Sequence, residues 1–233
     1  MIRPNWVADP LLPRAFSIYR ISGEGGGGED GVPVVEILYK VVGKGTHYLS
    51  RMEAGEEIDI LGPLGNAFMF SDGTATAVLV AGGIGAPPIA ALARQLRIAN
   101  CELRNVEVFL GGRTSEDILC VEDFEEAGAA IHITTEDGSL GVRGVITDLL
   151  RPFLITDHSS RFTMYACGPP GMLAAVARLA AELAVPCQVS VEANMACGFG
   201  ACMGCAVEVE AEQKSYKLVC KDGPVFDSRE IRW

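Results

Sequence analysis

The sequence predicts a protein of mixed fold class, an α/β part combined with an all-β part, followed by a small cysteine-rich segment. Three features indicate this class: short strand-like segments broken by glycines up to about residue 70, alternating strand-like and helix-like segments from about residue 75, and three cysteines clustered near the carboxyl end. The chain has 233 residues, 49% of them hydrophobic, and a net charge of −11. It can therefore bury a sizeable core, and it lacks the basic patch that a nucleic acid partner would require.

The first part of the chain, residues 1–72, is expected to form a small antiparallel β domain. Segments 14–21, 32–42 and 56–65 are rich in β-branched and aromatic residues. The glycine run at 25–28 separates the first two segments, and we interpret it as a hairpin loop rather than as a flexible linker.

Residues 73–193 are expected to form a parallel sheet wound with helices, because strand and helix patterns alternate regularly there. The strand-like segments are 75–83, 105–112, 129–137, 162–169 and 188–193, and the helix-like segments are 87–99, 122–129, 145–155 and 170–184. No run of apolar residues is long enough to span a membrane, and the first residues do not resemble a signal peptide, so a cytoplasmic location is expected.

Two loops in this part resemble nucleotide-binding turns. Gly83 and Gly85 follow an apolar strand and precede a proline-opened helix, which would present free amides to a phosphate. The dinucleotide fingerprint is incomplete, because Pro88 occupies its third glycine position. Cys167 ends another strand, and the two loops should lie at the same edge of the sheet. A tight turn alone would also explain the glycines, so this signal is weak.

The tail, residues 194–233, contains the most specific pattern. Cys197, Cys202 and Cys205 have the C-x4-C-x2-C spacing of plant-type 2Fe-2S ligands, with Cys220 as the distant fourth ligand. A hairpin between Cys205 and Cys220 should bring these two thiols face to face. Three loop glycines are expected to adopt positive φ and to direct amides at the sulfurs: Gly198, Gly200 and Gly204.

Two other interpretations of these cysteines remain open. Four thiolates would also suit a structural zinc ion, although zinc ribbons usually pair two short C-x-x-C knuckles. Disulfides are the third interpretation, which a reducing compartment disfavours. Cys101, Cys120 and Cys187 occur singly and are interpreted as packing residues.

Several motifs together resemble a known family. Residues 14–17, 38–40, 43–46 and 62–66 occur in the same order as in the ferredoxin-reductase-like flavoproteins, followed by the two glycine loops and the cysteine cluster. The cluster and the segment around Cys220 are similar to the electron-transfer subunits of the NAD-dependent, two-subunit dihydroorotate dehydrogenases of pyrimidine synthesis. The resemblance covers essentially the whole chain.

The resemblance implies an FAD-binding antiparallel β-barrel, a parallel-sheet nucleotide domain of ferredoxin-reductase type, and a small carboxyl-terminal 2Fe-2S domain. Family members have further barrel strands ahead of the segment that matches residue 1, so the barrel is expected to be partial. The residues implied to hold FAD are Arg14, Ala15, Phe16, Ser17, Leu38, Tyr39, Lys40, Gly45 and Thr46. Without the resemblance, Arg14 would be read as a surface arginine and Tyr39 as a strand aromatic.

The function implied is an electron relay with FAD, a 2Fe-2S cluster and NAD as substrate. A partner subunit that contains FMN would oxidise dihydroorotate, and the two subunits are expected to form a heterotetramer. The chain itself shows no nucleophile elbow or catalytic histidine pair. Two rival functions are a related flavin and iron-sulfur subunit of a sulfide dehydrogenase, hydrogenase or ferredoxin-NADP oxidoreductase, and a flavin-free zinc or redox-sensing module.

Overall fold

We describe the fold from a computed structural model of the chain, which covers residues 1–4, 9, 11–22, 34–70, 74–98, 105–156, 161–213 and 215–233. The strands in these ranges are β1 Ile2–Pro4, β2 Arg20–Ser22, β3 Val34–Glu36, β4 Ile58–Ile60, β5 Thr76–Gly82, β6 Asn105–Gly112, β7 Ala130–Thr135, β8 Val142–Arg143, β9 Phe162–Cys167, β10 Cys187–Ser190, β11 Ala206–Val209, β12 Ser215–Leu218 and β13 Val225–Asp227. The helices are α1 Lys44–Leu49, α2 Ala86–Ile98, α3 Val121–Glu126, α4 Ile146–Thr156 and α5 Pro170–Glu182.

The chain divides into two compact units. The first contains residues 1–67 and 192–224, and the second contains residues 68–191 and 225–233. The predicted division into 1–72, 73–193 and 194–233 stays a prediction. Within the described ranges, no helix combines the length and the apolar character needed to cross a bilayer.

The second unit is built on a seven-stranded sheet in the order β13-β10-β9-β5-β6-β7-β8. Neighbouring strands from β10 to β8 run parallel, and only β13 is antiparallel to its neighbour. All residues of β5 and β9 are buried, as expected for central strands that helices cover on both faces. The predicted parallel sheet wound with helices is therefore confirmed.

The glycine turn after β5 packs tightly against the turn after β9. A Cβ atom added at Gly85 would lie 2.3 Å from the carbonyl oxygen of Cys167, and one added at Gly82 would lie 2.6 Å from Sδ of Met172. Since β5 lies between β6 and β9, these turns mark the point where the winding of the sheet reverses. Ligands of open α/β sheets bind at this position, outside the carboxyl ends of the strands.

The amino-terminal part of the first unit is a set of strand pairs. The described residues form two separate antiparallel pairs, β1 with β4 and β2 with β3, rather than a closed barrel. In the described part of residues 1–67, the buried side chains are those of Ile2 and Thr46. Several apolar side chains are exposed instead, with Val42 at 79% and Ile60 at 61%. The predicted glycine loop at 25–28 lies outside the described residues.

Two cysteines outside the cluster, Cys120 and Cys187, have raised pKa values. Cys187 is 4% exposed, and burial raises its pKa to about 12. Burial, together with the charge of the nearby Asp123 carboxylate, raises the pKa of Cys120 to about 12 as well. Cys101 lies outside the described residues.

These pKa values predict slow alkylation of both thiols in the folded protein. The thiolate is the reactive form, and at pH 8 a thiol with pKa 12 carries roughly 1000-fold less thiolate than one with pKa 9. We expect iodoacetamide at pH 8 to leave Cys120 and Cys187 unmodified over a period in which denatured protein is fully labelled, as measured by peptide mass spectrometry. Labelling of either residue at the rate of a free thiol would contradict the raised pKa values.

Candidate functional site

The four cysteines of the tail meet as two pairs. The hairpin formed by β11 and β12 brings its ends together, with a backbone hydrogen bond of 3.1 Å from Val219 N to the carbonyl oxygen of Cys205. The sulfur atoms of Cys205 and Cys220 lie 3.2 Å apart. Cys197 and Cys202 form the other pair, in which the Cys202 amide donates to Sγ of Cys197 at 3.5 Å. The predicted convergence of Cys205 and Cys220 is therefore observed.

Backbone amides of the loop donate to the sulfurs. The amides of Cys202 and Phe199 lower the pKa of Cys197 to about 6, and the Gly204 amide donates to Sγ of Cys202 at 3.5 Å. Hydrogen bonds to the charged form of a group favour that form. The loop is therefore arranged to stabilise thiolates, which are the form that binds metal.

The cysteines at the end of the hairpin, Cys205 and Cys220, are buried, unlike those of the loop. Burial, followed by the neighbouring Cys205 thiol, raises the pKa of Cys220 to about 11, although the Gly200 amide donates to this sulfur. A metal cation would remove the proton from such a thiol outright. Burial therefore disfavours the thiolate of Cys220 unless a cation lies beside it.

Positive backbone φ occurs at three loop residues, of which two were predicted. Gly198 has φ +82° and Gly200 has φ +86°. The third is Met203, with φ 61°, whereas Gly204 was expected to have positive φ and does not. The strained position at Met203 precedes Gly204, and the amide of Gly204 donates to sulfur without a left-handed conformation of its own.

The two cysteine pairs fit a cluster of two irons, with two thiolates on each iron. Two thiolates on one tetrahedral metal, about 2.3 Å from each sulfur, lie about 3.8 Å apart, so the pair at 3.2 Å needs only a small adjustment. A 2Fe-2S cluster takes four cysteines, two on each iron. Among the described residues, no three Cys, His, Asp or Glu side chains are arranged around a single metal position. The seven described cysteines are all free of disulfides.

The segments that were expected to hold a flavin also converge. The Arg14 side chain packs on Gly45, where an added Cβ would lie 3.0 Å from its Nε. The rings of Phe16 and Tyr39 meet edge to face, with centroids 5.4 Å apart. Three stretches far apart in sequence thus form one surface, on which Ala15, Ser17, Leu38 and Lys40 are exposed.

Some polar groups of this surface are already engaged. The Thr46 hydroxyl accepts hydrogen bonds from the amides of Val42 and Gly43 at 3.0 and 3.1 Å and donates to the carbonyl of Gly43 at 3.0 Å. Thr46 therefore shapes the start of α1, and its hydroxyl is used within the turn. Arg14 Nη1 donates to the carbonyl of Leu12 at 2.7 Å, so part of the guanidinium is engaged within the chain.

The motif at residues 62–66 lies beside the segments that carry the cysteines of the tail. The loop after β4 reaches the turn that follows Cys220, where the amide of Asn66 donates to the Gly223 carbonyl at 2.6 Å. Leu64 of the same loop lies beside Gly198, next to Cys197. The only sequence signal was the glycine- and proline-rich motif at 62–66, and its spatial partner is not readable from the sequence.

Two segments of the chain match known protein families. Residues 192–232 match the family described as the iron-sulfur cluster binding domain of dihydroorotate dehydrogenase B. Residues 79–178 match the oxidoreductase NAD-binding domain. The matches coincide with the cysteine tail and with most of the parallel sheet.

Relatives that match nearly the whole chain point to the same family. The chain is 38% identical over 233 residues to the dihydroorotate dehydrogenase B (NAD(+)) electron transfer subunit of Desulforamulus reducens, covering 100% of this chain and 84% of the relative. It is also 38% identical over 227 residues to the subunit of the same name from Bacillus caldolyticus, covering 96% and 81%. Among solved structures, an NADH-dependent reduced ferredoxin-NADP oxidoreductase matches with TM-score 0.78 and 30% identity, over 95% of this chain and 75% of that one.

The nucleotide sheet and the iron-sulfur domain define an oxidoreductase of the ferredoxin-reductase-like class. Within this class, the chain belongs to the family of the electron transfer subunits of dihydroorotate dehydrogenase B. The predictions of an oxidoreductase, of an electron-transfer role and of flavin, iron-sulfur and NAD chemistry are confirmed at the level of the family. An electron transfer subunit serves a catalytic partner subunit, as predicted.

Proposed function

We propose that the chain accepts electrons from a partner subunit that oxidises dihydroorotate and delivers them to NAD+ through a 2Fe-2S cluster and FAD. The observation that carries this proposal is the arrangement of four free thiols as two pairs at the ends of one hairpin and one loop. It supports a cluster of two irons rather than one zinc ion. Family membership supports the electron-transfer role.

Flavin is needed because the two ends of the relay handle electrons differently. NAD+ accepts a hydride, whereas an iron-sulfur cluster passes single electrons, and a bound flavin can do both. The residues proposed to hold the cluster are Cys197, Cys202, Cys205 and Cys220. Backbone amides of the folded loop donate to the sulfurs of Cys197 and Cys202 and lower the pKa of Cys197.

The surface formed by residues 14–17, 38–40 and 45–46 is the proposed flavin site. Arg14 and Lys40 carry the positive charge that a pyrophosphate requires, and Ser17 offers an exposed hydroxyl. The close packing of Arg14 on Gly45 fixes the direction of the guanidinium. Tyr39, held edge to face by Phe16, can present its other side to a flat ring.

Several finer statements belong to this proposal. The partner is proposed to contain FMN, and two copies of each subunit are proposed to form a heterotetramer in the cytoplasm. The division of the chain into three domains, with boundaries at residues 73 and 194, is also part of the proposal. The resemblance to the ferredoxin-NADP oxidoreductase favours a second candidate, a related subunit that serves a different electron donor.

Anaerobic purification together with a dihydroorotate-oxidising subunit tests the proposal. We expect a stable complex with flavin and iron in a ratio of about 1:2 in this subunit, and dihydroorotate-dependent reduction of NAD+. A complex that forms only with a ferredoxin- or sulfide-linked partner would support the second candidate. A colourless protein that contains zinc and no flavin would overturn both.

A further inference from the structure

A short loop of the first unit is tied to the turn that follows Cys220. The amide nitrogen of Asn66 donates to the Gly223 carbonyl at 2.6 Å. Its side-chain Nδ2 donates to the carbonyl of Asp222 at 3.0 Å. Asn66 therefore holds two consecutive carbonyl groups of a segment that is 156 residues away in the sequence.

The two residues before Asn66 pack closely against the cysteine-bearing segments. Gly65 has φ +72°, and a Cβ atom added there would lie 2.4 Å from the Gly223 carbonyl oxygen. On the other side, a Cβ atom added at Gly198 would lie 3.2 Å from Cδ1 of Leu64. Residues 64–66, which we call the brace, thus contact both segments that carry proposed cluster ligands.

The turn held by the brace is also fixed to the cysteine hairpin. The carboxylate of Asp222 accepts the amide of Leu218 at 2.7 Å, and the amide of Asp222 donates to the carbonyl of Leu218 at the same distance. Cys220 lies between these two residues. The two hydrogen bonds between Leu218 and Asp222 therefore close the turn that carries Cys220.

The brace is connected in the other direction to the proposed flavin surface. Arg14 and Ile2 exchange two backbone hydrogen bonds of 2.7 and 2.8 Å. Ile2 pairs with Ile60 in the β1 and β4 ladder, and the chain leads from Ile60 directly into the brace. Backbone hydrogen bonds, together with the chain segment from Ile60 to Asn66, thus join Arg14 to the turn that carries Cys220.

We infer that the brace sets the geometry between the flavin surface and the cluster cysteines, and that Asn66 is a positioning residue for electron passage between them. The inference rests on the proposed function. The rate of single-electron exchange depends on the separation and orientation of the two cofactors. A brace that holds both of their binding segments would keep this separation, and therefore the rate, constant. The Asn66 side chain acts through the Asp222 carbonyl, whereas the bond to the Gly223 carbonyl comes from the backbone amide and remains in side-chain variants.

The test uses Asn66→Ala in the complete complex with its catalytic partner. We expect flavin content, iron content and NADH-driven dye reduction within about twofold of wild type, because the ligand residues remain. The rate at which NADH bleaches the cluster absorbance in a stopped-flow experiment should fall roughly tenfold, since small displacements of reacting groups have large kinetic costs. The electron paramagnetic resonance spectrum of the reduced cluster should also change, because the Cys220 sulfur moves.

Two further variants make the result decisive. Asn66→Asp keeps the size of the side chain but removes the Nδ2 donor, and it should match the alanine variant. Gln188→Ala removes a comparable amide tether in the second unit, from Nε2 to the Met69 carbonyl at 2.6 Å, and it should leave the bleaching rate and the spectrum unchanged.

Each remaining outcome counts against the inference. Wild-type bleaching and a wild-type spectrum in both Asn66 variants would overturn it. Loss of iron and flavin together in both variants would also overturn it, because the brace would then be needed for folding and not for positioning. Absence of flavin or iron from the wild-type protein would instead refute the proposed function.

Discussion

Cys202→Ser is expected to abolish the iron-sulfur cluster and electron delivery from the partner, while NADH-driven reduction of a dye through the flavin stays within about twofold of wild type. Cys202 is exposed, so the substitution costs little packing energy in the folded chain. It removes one of four thiolates, however, and leaves one iron of the proposed cluster with a single cysteine. The flavin surface lies on other segments of the unit and keeps its residues.

Iron analysis, visible absorbance and the two activities, measured on the same preparation, check this expectation. Ala201→Ser is the matched control, because it places a hydroxyl at the neighbouring exposed position of the same loop and keeps all four thiols. The control should retain the cluster. Retention of full iron content by Cys202→Ser would refute the ligand assignment, and loss of both activities together would show that the cluster is needed for folding.

Gly85→Ala is expected to reduce NADH-driven dye reduction by at least about tenfold and to destabilise the second unit by about 1–3 kcal/mol. The added methyl group would lie 2.3 Å from the carbonyl oxygen of Cys167 and 2.5 Å from its carbon. Both atoms belong to backbone, which cannot rotate away as a side chain would. The turns after β5 and β9 must therefore separate at the sheet edge where ligands of open α/β sheets bind.

Thermal unfolding and NADH titration test this effect. Gly171→Ala is the matched control, since it lies in the first turn of α5 with open space around the added methyl group, and it should be neutral or stabilising by up to about 1 kcal/mol. Iron and flavin content should stay at the wild-type level in both variants, because their proposed ligands belong to the first unit. Unchanged NADH affinity in Gly85→Ala would contradict the assignment of this edge to the nucleotide.

The parts of the fold that depend on local pattern were predictable from the sequence. The buried apolar runs of β5 and β9, and the proline that opens α5, specify a wound parallel sheet without long-range information. The cysteine spacing likewise predicted which thiols meet, because a two-stranded hairpin places its own ends together.

Features that depend on distant partners were not predictable. The position of positive φ at Met203 depends on how the loop closes over the sulfurs rather than on residue type. The contact of Asn66 with Asp222 joins residues 156 positions apart, and no periodicity encodes such a pairing. The strand-like segments of residues 1–72 were recognisable, and the barrel was expected to be partial. Their side chains do not form a buried core within the described residues, which the local pattern could not indicate.

The return of the chain to β13 has a practical consequence for dissecting the protein. Val225 lies directly opposite Ser190 in an antiparallel ladder, so residues 191–224, which carry the cluster cysteines, form an excursion between two adjacent strands. A tight two-residue turn between these positions would close the gap, since such turns join neighbouring antiparallel strands. A minimal nucleotide-binding protein should therefore be made by excising this excursion and keeping the last nine residues, whereas simple truncation after β10 would expose an unprotected sheet edge that favours aggregation.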